Sequence, residues 1–299
     1  MNNQGEQRFL NPSILANIGN LELVAKSVVE GFVSGLHKSP YHGFSVEFSQ
    51  YRQYIPGDDP KYIDWKIYGR TDRYYIKQFE EETNLKCHLI LDKSASMNYG
   101  SMDITKFDYA KNLSAALIYL MIKQQDAVGL TTFDDKIDLT IPPRSKKGHL
   151  NLLLQTMHRA KVGGETNVSA LLHSLAESIH KRGLIILISD LLDNEKEIIN
   201  GLRHFRHKGH EVIIFHVADP KEINLDFDDN VNFIDMENKE KLIVDSRQIK
   251  NDYNKAFKNF CSYYKTQCLK NNIDYVFLDT TSPLDVSLMQ YLIKRSQIS

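Results

Sequence analysis

The sequence predicts an α/β protein: a doubly wound, mostly parallel sheet with a helix and strand extension in front of it. Two observations carry that expectation. From about residue 85 onward, short and almost purely apolar runs recur, as strands buried on both faces of a parallel sheet require. Between them lie segments with apolar residues at helical spacing. Strand–helix alternation of this kind is the pattern of a parallel sheet covered by helices.

Taken in order, the expected strands are Leu85–Leu91, Ala127–Phe133, Leu184–Ile188, Glu211–Val217 and Tyr275–Leu278. Lys136–Ile141 follows the turn at Asp134 and Asp135 and is expected to pair antiparallel with the strand before it. Helices are expected at Thr105–Lys123, Leu150–His158, Val168–Lys181, Lys196–His207, Arg247–Asn271 and Leu284–Arg295. The acidic stretch Asp219–Asp245 reads as a long connection with one or two short edge strands, VNFI and KLIV. Upstream, Ile14–Leu36 reads as an amphipathic helix with Leu21, Val24, Val28, Val29 and Phe32 on its apolar face. Gly43–Tyr54 and Tyr74–Phe79 read as strands on either side of a Pro-Gly-Asp-Asp-Pro turn. The change in texture places residues 1–84 in an N-terminal extension and residues 85–299 in the sheet domain.

Composition narrows the function classes. The chain has 299 residues, 37 Lys and Arg against 38 Asp and Glu, and a net charge of −1. That balance argues against a nucleic-acid-coating protein, which needs a basic excess. Three cysteines cannot make a disulfide framework. Cys261 and Cys268 lie seven apart in a helical stretch, ~10 Å along the axis and too far for a bridge. Reduced thiols and the lack of a leader-like N-terminus point to a cytoplasmic protein. The longest apolar stretch, Leu113–Ile122, is well short of the ~20 residues that span a bilayer. No P-loop and no G-x-S-x-G elbow is present.

The chemistry concentrates where strands end. In an open α/β sheet, ligands bind outside the carboxyl ends of the strands. The first strand runs into Asp92-Lys93-Ser94-Ala95-Ser96, which sets one carboxylate and two hydroxyls on a short loop. Thr166 follows Gly163 and Gly164 just before a helix, and Asp190 ends the LIILIS run. Asp92, Ser94, Ser96, Thr166 and Asp190 are all oxygen donors, which suit Mg²⁺, Mn²⁺ or Ca²⁺ rather than a soft metal. Few carboxylates and several neutral hydroxyls leave a divalent cation undersaturated, and an acidic side chain from a partner would complete it. The plainer reading of D-x-S-x-S is a helix N-cap, since Asp and Ser are preferred there. Asp193, three residues beyond Asp190, is the best candidate for supporting the ligands from behind.

These residues resemble the metal-ion-dependent adhesion site of von Willebrand factor A-type domains. The resemblance runs from Leu85 to the C-terminus. It implies Asp92, Ser94, Ser96, Thr166 and Asp190 as ligands, directly or through water. Asn167 follows the threonine where many members carry Asp. A second resemblance starts upstream: Phe48, Tyr51, Arg52, Tyr54, Pro56-Gly57-Asp58-Asp59, Ile63-Asp64-Trp65, Arg70 and Glu80 resemble the hallmark of bacterial family of unknown function 58. Genes of that family often adjoin those of MoxR-type AAA+ ATPases, so the resemblance implies such an ATPase, or its client, as partner.

The Arg52–Arg70 segment also has a structural reading. In that reading Arg52, Asp58, Asp59, Asp64 and Arg70 can pair as buried or half-buried ion pairs that pin the extension to the sheet, with Trp65 as packing anchor. The function expected from the whole is a magnesium-dependent protein-interaction module and not an enzyme, because no nucleophile or general base is recognisable. The alternative is a Mg²⁺- or Mn²⁺-dependent hydrolase that uses the same cation as a Lewis acid.

Overall fold

The computed structural model describes residues 20–38, 51–54, 68–70, 73–77, 85–164, 168–227, 230–234 and 241–298. Helix α1 is Leu21–Lys38. It starts where Asn20 Oδ1 accepts the Glu22 N–H at 2.8 Å, the side-chain capping that helix starts favour. The earlier part of the helix read from the sequence, residues 14–19, lies outside the described residues. Strands β1 (Tyr51–Gln53) and β2 (Tyr75–Lys77) form a small antiparallel pair, with Arg52 opposite Ile76.

The main sheet is built from β3 (Lys86–Asp92), β4 (Ala127–Phe133), β5 (Ile137–Arg144), β6 (Leu184–Ser189), β7 (Glu211–Ala218) and β10 (Asp274–Asp279). Their order across the sheet is β10-β7-β6-β3-β4-β5. Five strands are parallel, and β5 alone runs antiparallel, against β4. Counted along the sheet in chain order, this is 3-2-1-4-5-6, the doubly wound arrangement whose direction of growth reverses between β3 and β6. Thus the expected fold class is the observed one. β5 carries Pro142 and Pro143, which an edge strand tolerates because one row of its N–H groups has no ladder partner. Gly129 in β4 permits its approach: a Cβ there would stand 2.7 Å from the Ile141 carbonyl oxygen.

The connecting helices are α2 (Lys106–Lys123), α3 (Lys147–Arg159), α4 (Val168–Ser178), α5 (Glu195–His207), α6 (Pro220–Asn224), α7 (Ser246–Lys270) and α8 (Asp285–Ile298). Helix α2 begins with a capping box in which Thr105 and Asp108 satisfy each other's backbone N–H groups. Fourteen of its 18 residues are buried, so it forms the centre of one layer rather than an amphipathic cover. Helix α1 packs on it: Val24, Ala25, Val28 and Val29 are fully buried in the same cluster as Leu113, Leu117 and Leu89. The opposite layer sets α4, α5 and α7 against Ile90, Ile185, Leu187 and Ile214.

The acidic connection differs from its sequence reading in two ways. Pro220–Asn224 is a capped helical turn, with Asp219 accepting from Lys221 N–H at 2.8 Å. The VNFI and KLIV segments do form strands, β8 (Asn230–Ile234) and β9 (Lys241–Asp245), but they pair with each other and not with the edge of the main sheet. Four-residue apolar alternations mark strands without saying which partner they take.

His88 on β3 is half-buried, and burial, then the charges of His210 and Lys86, push its pKa from the ordinary 6.5 down to about 4. The native state therefore prefers the neutral ring, whereas the unfolded chain protonates near 6.5. The resulting stability is present above pH 6.5 and is lost as pH falls through about 4. His88→Gln is expected to flatten this acid limb relative to wild type. Urea unfolding at a series of pH values between 7 and 4 measures it; parallel curves would overturn the assignment.

Candidate cation site

The crevice where the strand order reverses is formed by the ends of β3 and β6. Register puts Leu91 beside Ile188, so Asp92 and Ser189 end the two strands side by side. Asp92 is fully buried. Its Oδ1 accepts the Ser94 N–H at 2.9 Å, and its Oδ2 accepts the Ser189 hydroxyl at 2.6 Å. The carboxylate is thereby aimed by its own loop and by the neighbouring strand. Ser94 Oγ lies 3.1 Å from Ser96 Oγ. The loop that follows α3 is tied to the same place: Gly163 N–H donates to the Lys93 carbonyl at 3.0 Å, and Ala95 N–H to the Gly164 carbonyl at 3.2 Å. Gly164 adopts φ +83°, and a Cβ there would press on Asp134, which is ion-paired to Lys93. Thr166, two residues further on, lies outside the described residues.

Asp190 follows β6 and is 2% exposed. Its Oδ2 accepts from Lys106 Nζ at 2.8 Å, and its Oδ1 accepts the Leu192 N–H at a long 3.3 Å. Leu191, between them, is held in the left-handed region at φ 58° with its side chain fully buried. Its N–H donates to Ser189 Oγ at 2.9 Å, and its carbonyl accepts the Tyr264 hydroxyl at 3.2 Å. The turn that presents Asp190 is thus pinned on both sides.

The electrostatics separate the two carboxyls. Burial, and then the negative charge of Asp190, push the Asp92 carboxyl up to about 7, against the pull of the Ser189 and Ser94 donors. Burial opposes ionisation of Asp190 too, but the Lys106 ammonium outweighs it and holds that carboxyl below its ordinary range. Burial works against the charge of Lys106, and Asp190 and Glu222 overcome it and raise its pKa. Glu222 Oε1 stands 2.6 Å from Lys106 Nζ, and its Oε2 accepts the Asp219 N–H at 2.9 Å. Asp219 in turn accepts from the Ser101 N–H at 2.8 Å. A chain of bonds therefore runs from Ser101 through Asp219, Glu222 and Lys106 to Asp190.

The donor set fits a hard divalent cation. Two ligands at right angles on Mg²⁺, with bonds of ~2.1 Å, stand ~3.0 Å apart, and the two serine hydroxyls are 3.1 Å apart. Asp92 adds a buried carboxylate that a nearby positive charge would bring to full ionisation. Among the described residues, no group of three or more His, Cys, Asp or Glu side chains gathers as a metal site. Any cation here would depend on hydroxyls.

The structure brings Asp92, Ser94, Ser96 and Asp190 to one crevice. Asp193 Oδ2 accepts the Ser169 N–H at 3.4 Å, in the first turn of α4, the helix that follows Thr166 in the chain. Arg70 is exposed. Arg52 is placed by its backbone in β1, and Asp58, Asp59, Asp64 and Trp65 lie outside the described residues. Sequence reasoning missed Lys106, Ser189 and Glu222. Two signals were there: a lysine at the first position of a helix, where the dipole disfavours it, and Asp219-Pro-Lys-Glu222, a capping-box pattern.

Fold and site together define a doubly wound α/β protein with a carboxylate and hydroxyl crevice at its topological switch point. The chain belongs to the family described as "Protein of unknown function DUF58", whose model matches residues 50–260. It is 28% identical over 219 residues to the uncharacterized protein Rv1480 of Mycobacterium tuberculosis, covering 72% of this chain and 68% of that one. Among solved structures it is similar to the conserved hypothetical protein BatB from Bacteroides thetaiotaomicron. That match has a TM-score of 0.48 and 15% identity, over 72% of this chain and 100% of the other. The SpRpn10 VWA domain matches at a TM-score of 0.43 and 15% identity, over 69% and 94%.

Proposed function

We propose that this chain is a metal-dependent protein-interaction module. Asp92, Ser94, Ser96, Thr166 and Asp190 hold Mg²⁺, or Mn²⁺ or Ca²⁺ in its place, and an acidic side chain of a partner completes the shell. The observation that carries this reading is the pair of serine hydroxyls 3.1 Å apart beside the buried Asp92, at the switch point of the sheet. Exposed apolar side chains support it as well: Met102, between β3 and α2, and Leu192, two residues past Asp190, are 58% and 47% exposed, and large apolar side chains on display suit a protein partner. Ser94 Oγ has another serine as its hydrogen-bond partner rather than a histidine, which favours binding over nucleophilic catalysis.

The partner proposed is a MoxR-type AAA+ ATPase or a client it remodels. The three cysteines are free thiols, which supports work in a reducing compartment such as the cytoplasm. No helix among the described residues is long and apolar enough to cross a membrane. Affinity purification in Mg²⁺ and in EDTA tests the reading. An AAA+ ATPase retained in Mg²⁺, and lost both in EDTA and with Asp92→Ala, is the expected result. Equal recovery under all three conditions would overturn it. Turnover of a phosphoester with Mg²⁺ or Mn²⁺ that disappears in Asp92→Asn would favour the hydrolase instead.

A further inference from the structure

We propose that Lys106 is a tethered cation that competes with the metal ion for Asp190, tuning the crevice to weak and releasable divalent binding. The inference rests on the cation-binding reading given above. Lys106 stands in an unfavourable place. It is the first residue of α2, where the helix dipole opposes a positive charge, and it is fully buried. A buried ammonium is tolerated only when it is paired and hydrogen-bonded. Both of its close partners are carboxylates at the sheet's carboxyl edge, Asp190 at 2.8 Å and Glu222 at 2.6 Å.

The two partners are not equivalent. Asp190 is one of the residues assigned to the metal, and the ammonium occupies its Oδ2. Glu222 is fixed without help from Asp190: the capping box holds its Oε2 on the Asp219 N–H, and its backbone carbonyl accepts the Tyr253 hydroxyl at 2.7 Å. The ammonium thus has a second seat. When a metal ion takes Asp190, Lys106 keeps Glu222 and is not left unpaired in the interior. Charge points the same way. Asp92, Asp190 and Glu222 together with Lys106 carry two net negative charges when all are ionised, which one divalent ion balances. Without the lysine there would be three, and attraction for the ion would rise.

Calorimetric titration with Mg²⁺ of wild type, Lys106→Met and Lys106→Gln, read beside thermal melts with and without Mg²⁺, tests this. Both variants are expected to bind Mg²⁺ about tenfold or more tighter than wild type, and to gain more in melting temperature from it. Lys106→Gln retains an N–H donor for the two carboxylates, so it carries the test if Lys106→Met does not fold. Affinity unchanged or weaker in the folded variants, with wild type binding normally, overturns the inference and leaves the cation-binding reading standing. Binding in the variants but not in wild type supports it. Absence of binding in all three overturns both.

Discussion

Asp92→Ala is expected to lower Mg²⁺ affinity at least about 100-fold, since it removes the one carboxylate that both strands of the crevice aim inward. It also leaves the Ser189 hydroxyl and the Ser94 N–H without their acceptor, which is worth about 1–3 kcal/mol for each buried group. Loss of binding and loss of stability must therefore be separated. Asp92→Asn does so, because the amide keeps the size and one carbonyl acceptor while removing the charge. Isothermal calorimetry with Mg²⁺ on both variants, after a circular dichroism check of folding, gives the answer. A dissociation constant within about threefold of wild type in both would remove Asp92 from the site.

Val28→Asp is expected to destabilise the whole protein by about 4 kcal/mol or more, because it buries an unpaired charge. Val28 is fully buried: with Val24, Ala25 and Val29 it packs in the cluster that also contains Leu113 and Leu117 of α2. The consequence reaches beyond one helix. If α1 were an appendage, the substitution would shift only its own docking, and the sheet would melt as before. If α1 is part of the core, urea unfolding followed by circular dichroism will show one transition at a clearly lower midpoint. A change under about 1 kcal/mol would favour the appendage.

The sheet was legible in the sequence because its central strands are saturated with apolar side chains. LIILIS is a short, isoleucine-rich apolar run, too brief for a core helix, and the structure buries it at every position as an interior strand. The antiparallel return of β5 was legible from the acidic turn before it. The partners of β8 and β9 were not, because short edge-like strands carry no mark of the strand they face. At the site, Asp92, Ser94, Ser96 and Asp190 were legible because each lies at or just past the end of an apolar strand, where the fold class puts ligands. Lys106, Ser189 and Glu222 escaped for a physical reason. Lys106 meets Asp190 across 84 positions and Glu222 across 116, so no local pattern joins them. A lysine at the start of a helix reads as solvated until the structure shows it enclosed. Ser189 was hidden inside an apolar run that it ends.

The left-handed turn at Leu191 has a consequence for how fast and how firmly the crevice can act. A side chain other than glycine at φ 58° costs about 1–2 kcal/mol, and glycine there would relieve that strain. Glycine would also remove the buried side chain that anchors the turn, and Asp190 would then sample many orientations. With leucine in place, the conformational entropy of this segment is lost when the chain folds rather than when a ligand arrives. Capture at Asp190 then needs little reordering of this turn, and what is left is dehydration of the incoming ion and displacement of the Lys106 ammonium.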